Sequence, residues 1–272
     1  AIAATASLGS SRERIPEIAD HLLATNQMDR QCAIQDLIDA SASEFIPFIL
    51  SSPVSPVFRL RAIRALSTGS PTQAISAIDQ IINDDPSKLS LVHEYDENPS
   101  NIFLINEFFN ADFGRCYLSL QFLKKLQPVD IWPALYAAWL KDGWNDYGAH
   151  YFFLLVIGSH SVWPKHAESN IYSLLKDSIY NKRPQFRKSK AVAVLAMARL
   201  FPSAFLEIVA DIVDPMSMNV WECRYAGWMM LDEISKDQLI DSRWIDNLDA
   251  DVSNDPDRFV MSRAQLLIES LH

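Results

Sequence analysis

The stretch Val57-Phe-Arg-Leu-Arg-Ala-Ile-Arg-Ala-Leu66 decides the fold. Phe58, Ala62, Ile63 and Leu66 recur at helical spacing, with Arg59, Arg61 and Arg64 between them. The order basic-x-x-Ala-x-x-x-Leu suits the buried helix of a two-helix repeat. Alanine lets a neighbouring helix approach closely, and leucine one turn later fills the space that remains. The spacing returns as Arg30/Ala33/Leu37, Lys188/Ala191/Leu195 and Cys223/Ala226/Met230, and Ala264 continues the series. Leu118 and His150 take the small-residue place in the middle of the chain. Successive intervals run from about 29 to about 41 residues, with one double interval, which is the irregularity of HEAT and armadillo arrays. The reading is an all-α chain, an α-solenoid of HEAT/armadillo-like helical repeats, forming a single domain over 1–272.

Composition agrees with this reading and narrows function. The chain has 272 residues, of which 49% are hydrophobic, enough to bury a large core. Only 7 glycines are present, too few for a many-turned β protein. A formal net charge of −10 argues against nucleic acid as a partner, because phosphate contacts need clustered Lys and Arg. No apolar run approaches a membrane span, so no membrane insertion is expected. Cys32, Cys116 and Cys223 lie far apart in predicted helices, with no CxxC or Cys/His ligand spacing. They read as reduced core thiols of a cytoplasmic protein, and no metal is expected.

Helices separated by short breaks account for most of the chain. Residues 1–9 read as the tail of a helix closed by Gly9, with an N-terminal cap expected before Ala1. Asp112 is a predicted N-cap, and prolines such as Pro71 sit at helix starts, where a missing N–H costs nothing. A helix is also expected over 236–248. Residues 84–100 form an irregular acidic insertion, either tolerated surface or a functional lid.

Three constellations carry chemistry. In Asn106-Glu-Phe-Phe-Asn-Ala-Asp-Phe-Gly-Arg-Cys-Tyr117, Asp112 and Arg115 are three apart and adjacent on a helix face. They form either an N-cap with a surface Arg or a carboxylate and guanidinium aimed at a polar ligand. In Trp144-Asn-Asp-Tyr-Gly-Ala-His-Tyr-Phe-Phe153, Asp146 and His150 are an i,i+4 pair at a helix start. The aspartate is expected to raise the histidine pKa, making His150 either a satisfied core residue or a proton donor. In Trp221-Glu-Cys-Arg-Tyr-Ala-Gly-Trp228, the rings of Trp221, Tyr225 and Trp228 fall on one stripe flanked by Glu222 and Arg224. Such a stripe is either core or a stacking wall for a planar, anionic, conjugated ligand. Gly-rich phosphate loops, nucleophile elbows and HExxH helices are absent from the sequence.

The repeat helix Phe58-Arg-Leu-Arg-Ala-Ile-Arg-Ala-Leu66 and the segment Cys223-Arg-Tyr-Ala-Gly-Trp-Met-Met-Leu231 resemble the HEAT-type repeats of the E/F-type phycobilin lyases. The second is similar to that family's Arg-Tyr-Tyr-Ala-Ala-Trp-Trp-Leu repeat, with Gly227 and Met229 where the family has Ala and Trp. Asn110-Ala-Asp-Phe-Gly-Arg-Cys-Tyr117 and Asp146-Tyr-Gly-Ala-His-Tyr151 look closest to its phycoerythrin-directed members. The resemblance implies a lyase that takes an open-chain phycobilin, phycoerythrobilin first, as substrate and needs no resident cofactor. It would attach the bilin through a thioether to a cysteine of a phycobiliprotein subunit of the phycobilisome. Some members also isomerise the bilin, and a second lyase subunit is an open alternative as partner.

On this resemblance, Asp112, Asp146 and His150 are the candidate catalytic residues. Asp112, Asp146 or Glu222 would bond the pyrrole nitrogens, and His150 would donate a proton. Arg115 and Arg224 would pair with propionates. Trp144, Tyr151, Trp221, Tyr225 and Trp228 would wall the rings. Two other readings stay open: a non-catalytic HEAT scaffold for a protein partner, and an alkylated-base glycosylase, which the acidic balance disfavours.

Overall fold

A computed structural model describes residues 12–67, 71–236 and 255–271. The helices read at residues 1–9 and 236–248 fall almost wholly outside these. The described residues are helical with no strand, which bears out the all-α reading. Contacts divide the chain into two compact units, Ala1–Leu126 and Gln127–His272.

In the first unit, α1 is Ile15–Asp20, α2 Gln27–Asp39, α3 Ile46–Ser51, α4 Pro56–Leu66, α5 Pro71–Asn83, α6 Asn101–Asn106 and α7 Phe113–Leu123. Helix starts follow the local chemistry. Asn26 accepts from the Met28 N–H at 2.8 Å, and Asp112 from the Gly114 N–H at 2.8 Å. Such caps satisfy donors that a helix's first turn leaves orphaned. Pro56 stands in the first turn of α4, where no N–H is required. Helix α2 packs on α1 and α4, and α4 on α3 and α5, so the quoted stretch is the buried member of its pair. Ala33, Leu37, Ala62 and Leu66 all lie inside, as the spacing predicts.

Residues 84–100 are no loose insertion. Asp84 adopts a positive φ of 44° at the turn and is buried. The Ser90 N–H donates to the Ser51 carbonyl at 2.7 Å. The Tyr95 ring meets Phe103 and Phe122 edge-on at 5.6 and 5.3 Å. The segment is a strap fastened to its own unit at both ends.

In the second unit, α8 is Pro128–Ala138, running into a π-turn at Trp139–Gly143. Then come α9 Ala149–Ser159, α10 Lys165–Ile179, α11 Arg187–Leu200, α12 Pro202–Val213, α13 Trp221–Lys236 and α14 Arg258–Leu271. Helices α9, α11, α13 and α14 stack side by side in chain order. Helix α10 backs α11, and α12 backs both α11 and α13. Every residue from Ala149 to Ile157 and from Cys223 to Leu231 is buried. These helices are apolar all round because neighbours surround them. Close approach needs small residues: a Cβ on Gly158 would lie 3.0 Å from the Ala196 Cβ, and one on Gly227 2.9 Å from the Val213 Cγ1.

The cysteines divide. Cys116 and Cys223 are buried, whereas Cys32 is exposed on α2, contrary to the reading of three core thiols. No helix among the described residues is long and apolar enough to cross a membrane.

Candidate functional site

The first unit holds Asp112 and Arg115, and they do not pair with each other. Asp112 caps α7 and is bound through Oδ1 by the buried Arg30 guanidinium, while its Oδ2 lies 3.0 Å from His93 Nε2. Arg30 also donates to the Ala24 and Thr25 carbonyls at 2.7 and 3.1 Å, so one arginine ties the start of α2 to the start of α7. His93 brings the strap onto the same carboxylate. Asp112 stays 19% exposed, leaving an edge of the carboxylate open to a ligand. Arg115 donates to Glu107 at 2.9 Å and is 45% exposed.

The remaining candidates lie in the second unit, and most are beneath its surface. Tyr151, Tyr225 and Trp228 are at most 2% exposed and pack in the core. Arg224 is equally enclosed: Nε and Nη2 donate to the two Asp255 oxygens at 2.7 and 2.9 Å, and Nη1 to the Met218 carbonyl at 2.8 Å. Its guanidinium is therefore already committed to protein carboxylate and backbone. Arg59 is built alike, with Nε on the Val54 carbonyl at 3.2 Å and Nη2 on Asp84 at 2.5 Å and the Tyr117 hydroxyl at 2.8 Å. Burial, and the Asp84 carboxylate beside it, push the Tyr117 hydroxyl pKa well up. Arg30, Arg59 and Arg224 thus share one role, an arginine in or next to the first turn that reaches back to carbonyls ahead of its helix and out to an aspartate. The repeat register in α13 therefore starts from Arg224, with Gly227 as the small residue, and not from Cys223 with Ala226.

His150 departs from its expected titration. Burial, with the charges of Arg183 and Lys188, lowers its pKa to about 3, so the ring is neutral at neutral pH. Asp146 does not raise it, because its Oδ1 is taken by the Gly148 and Ala149 N–H groups at 2.8 and 2.7 Å. The imidazole sits between Trp139 and Phe186, at 4.9 and 4.4 Å between ring centroids, and its Nδ1 has no hydrogen-bond partner.

A set of rings and charged groups, some exposed and some buried, lies at or just before the starts of α9, α11 and α13. Trp144 is 47% exposed, and the Arg183 guanidinium lies 5.3 Å from its ring centroid and 4.3 Å from that of Phe186. Arg183 also donates to the Asn145 side-chain oxygen at 2.6 Å. The Lys188 ammonium stands 3.7 Å from the half-exposed Tyr147 ring. Arg187 donates to Glu222 at 3.0 Å, and Trp221 meets Tyr225 edge-on at 6.2 Å. Rings, guanidinium groups and a carboxylate are the donor set that a planar, carboxylated ligand requires.

Sequence reasoning placed Arg30 in the repeat without giving it a role at the site, and gave none to His93, Tyr147, Arg183 and Arg187. Arg30 was recoverable, because it shares a face with Ala33 and Leu37 and a buried guanidinium demands an acid. Arg183 lies in a loop with no periodicity to mark it. No group of three or more His, Cys, Asp or Glu suited to a metal occurs among the described residues.

No family model matches the chain. It is 38% identical over 276 aligned residues to the bilin biosynthesis protein CpeY of Synechococcus sp. strain WH8020, covering 99% of this chain and 65% of that protein. It is 36% identical over 241 residues to the uncharacterized phycocyanin operon protein Y of Pseudanabaena tenuis strain PCC 7409, covering 86% of this chain and 55% of that protein. The chain thus spans between half and two thirds of the length of these relatives. The resemblance to phycobilin proteins read from its repeats is borne out.

Proposed function

From this kinship we propose that the chain acts as a phycobilin lyase. It binds an open-chain tetrapyrrole, phycoerythrobilin first, and delivers it to a cysteine of a phycobiliprotein subunit. The observation that carries the reading is the 38% identity along 99% of the chain with a protein named for bilin biosynthesis. The aromatic and arginine-rich rim of the second unit supports it chemically.

The reaction is thiol addition. The acceptor S–H bond breaks, sulfur bonds to the ring-A ethylidene carbon, and the proton ends on the neighbouring carbon of the former double bond. No oxidant or reductant is consumed. The protein's task is positioning, which excludes the wrong face and the uncatalysed addition. Trp144 and Trp221 stack on rings, Arg183 takes a propionate, and Glu222 or Asp146 meets the pyrrole nitrogens. Asp112 and Arg115 offer a second carboxylate and guanidinium on the first unit. Arg224, Tyr151, Tyr225, Trp228 and neutral His150 hold the rim from beneath. Burial pushes the Cys223 thiol up to about 12, which makes it a poor carrier of the bilin.

The test is absorbance and fluorescence of the chain on adding phycoerythrobilin, with and without acceptor subunits. The expected result is a sharpened, red-shifted band on the chain, weakened by Trp144→Ala and Arg183→Ala, and an acid-stable coloured acceptor. No spectral change with any bilin would overturn the reading and favour a protein-binding scaffold.

A further inference from the structure

The strap lays a histidine on the carboxylate that starts α7. His93 Nε2 is 3.0 Å from Asp112 Oδ2. An ionised carboxylate only accepts hydrogen bonds, so Nε2 carries the hydrogen, and in the neutral ring Nδ1 holds the lone pair. Asp112 is the ring's hydrogen-bond partner among the described residues, which leaves Nδ1 without one. The His93 side chain is 23% exposed, so the ring is reachable from solvent.

The carboxylate beneath it is fixed from several sides. Asp112 Oδ1 takes the Gly114 N–H at 2.8 Å and the Arg30 guanidinium, itself buried and tied to the Ala24 and Thr25 carbonyls. The Asp112 N–H donates to the Asn110 side chain at 2.9 Å. Gln27 of α2 holds the backbone on either side, accepting from the Phe113 N–H at 2.6 Å and donating to the Ala111 carbonyl at 2.7 Å. Gly114 leaves the room that the imidazole uses: a Cβ there would stand 3.2 Å from His93 Cδ2 and 3.1 Å from Asp112 Oδ1. The charged groups set on this pair are thus Asp112 from α7 and, behind it, Arg30 from α2.

A histidine oriented by a carboxylate, with its other nitrogen open, is the base half of a nucleophile-activating arrangement. The member to be supplied is a nucleophile bearing a proton. Cys116, one turn along α7, does not supply it: its thiol is buried against the Glu107 and Asp112 carbonyls at 3.2 and 3.4 Å. The reaction proposed above brings such a nucleophile on the acceptor subunit. An ordinary cysteine is mostly protonated at neutral pH, and only its thiolate attacks. His150 is no base for it, being enclosed between Trp139 and Phe186 with a pKa of about 3.

We infer that His93 is the general base that activates the acceptor thiol, with Asp112 as its positioning residue. The inference rests on the lyase reading and adds to it the group that handles the proton. The S–H bond breaks and its proton passes to His93 Nδ1. The sulfur electron pair forms the C–S bond to the ring-A ethylidene carbon, and the pair of the former double bond moves to the neighbouring carbon. That carbon takes the proton back from the imidazolium, so His93 ends neutral and no oxidant or reductant is consumed. Between the two transfers the Asp112 carboxylate stabilises the imidazolium, and throughout it keeps Nδ1 turned away from the helix start.

The experiment follows the rate of phycoerythrobilin transfer to apo-phycoerythrin subunits by the intact chain, His93→Gln and Asp112→Asn, from about pH 7 to about pH 9, across the ordinary thiol pKa. Glutamine can still donate to Asp112 and hold the strap, but its amide takes no proton. His93→Gln should therefore bind phycoerythrobilin and melt as the intact chain does, yet transfer about a hundredfold or more slowly at neutral pH. That deficit should shrink by about tenfold or more toward pH 9, where the thiol ionises unaided. Asp112→Asn should show the same pH-dependent deficit, besides the lower melting temperature expected when Arg30 loses its anion. A deficit of Asp112→Asn that is equal at every pH would overturn its positioning role. Transfer unaltered in His93→Gln would overturn the inference while the lyase reading stands. A pH-independent loss with a fall in melting temperature would overturn it as well, marking His93 as a fastener of the strap. Failure of the intact chain to bind or transfer the bilin would remove the lyase reading and the inference together.

Discussion

Replacing Arg224 by methionine isolates what the buried arginine pairs contribute. The side chains of Arg224 and Asp255 are only 4% and 3% exposed, and two hydrogen bonds join them. Methionine fills much of the volume but leaves the Asp255 carboxylate buried, with the Asp257 N–H donating to its Oδ1 at 2.8 Å. Breaking such a pair from one side costs about 3–5 kcal/mol, most of it the desolvation of the stranded charge. In a unit of this size each kcal/mol moves the melting point by about 2–4 °C, so a loss of roughly 6–20 °C follows. Differential scanning fluorimetry and urea denaturation read it directly. The double variant Arg224→Met with Asp255→Leu should recover most of the loss, because it removes both charges. For contrast, Arg115→Ala breaks an exposed pair and should cost no more than about 1 kcal/mol. If Arg224→Met melted with the wild type and lost only bilin binding, the guanidinium would belong to the ligand and the assignment made here would fail.

Two further perturbations probe the same core. His150 has a folded pKa of about 3, below its unfolded value, so its contribution is complete above about pH 6.5 and is lost as pH falls from there toward 3. Stability should decline by up to about 1.4 kcal/mol per pH unit across that window, and His150→Leu should flatten the slope in pH-dependent urea titrations. An unchanged acid-side slope would assign it to other groups. Gly227→Ala would place a Cβ 2.9 Å from Val213 and 3.0 Å from Ile212, branched side chains that have little room to give. A destabilisation of about 1–3 kcal/mol by chemical denaturation is expected, and a neutral result would show that α12 and α13 separate easily.

The helices were legible because the small residue and the leucine recur wherever two helices touch, and this is visible without a partner. Register in α13 was not. Cys223/Ala226/Met230 and Arg224/Gly227/Leu231 both fit the repeat, and a helix buried all round has no polar face to choose between them. The choice is made by Asp255, 31 residues further on, through an ion pair that no local pattern encodes. The titration of His150 was hidden for a related reason. The i,i+4 spacing put an acid nearby, but the carboxylate of Asp146 serves the helix's own N–H groups, and the aromatic wall around the imidazole comes from Trp139 and Phe186. Trp144 was legible as a ring in a polar turn, whereas its companion Arg183 arrives from another loop.

The buried arginines and the exposed rim are mechanically connected, and this decides how mutants must be interpreted. Arg224 binds the Met218 carbonyl, three residues ahead of Trp221. Releasing that carbonyl frees the turn that sets where Trp221 and Glu222 project. Arg183 does the same for Trp144 through the Asn145 side chain and the Trp144 carbonyl. Weaker bilin binding in an Arg224 variant is therefore no proof of contact, since positioning is lost along with stability. Contact and positioning separate when affinity is compared with melting temperature. Trp144, which the proposal sets against the ligand, should lose affinity at constant stability when replaced by alanine. Arg224 should lose both in proportion, and should regain both when Asp255 is neutralised with it.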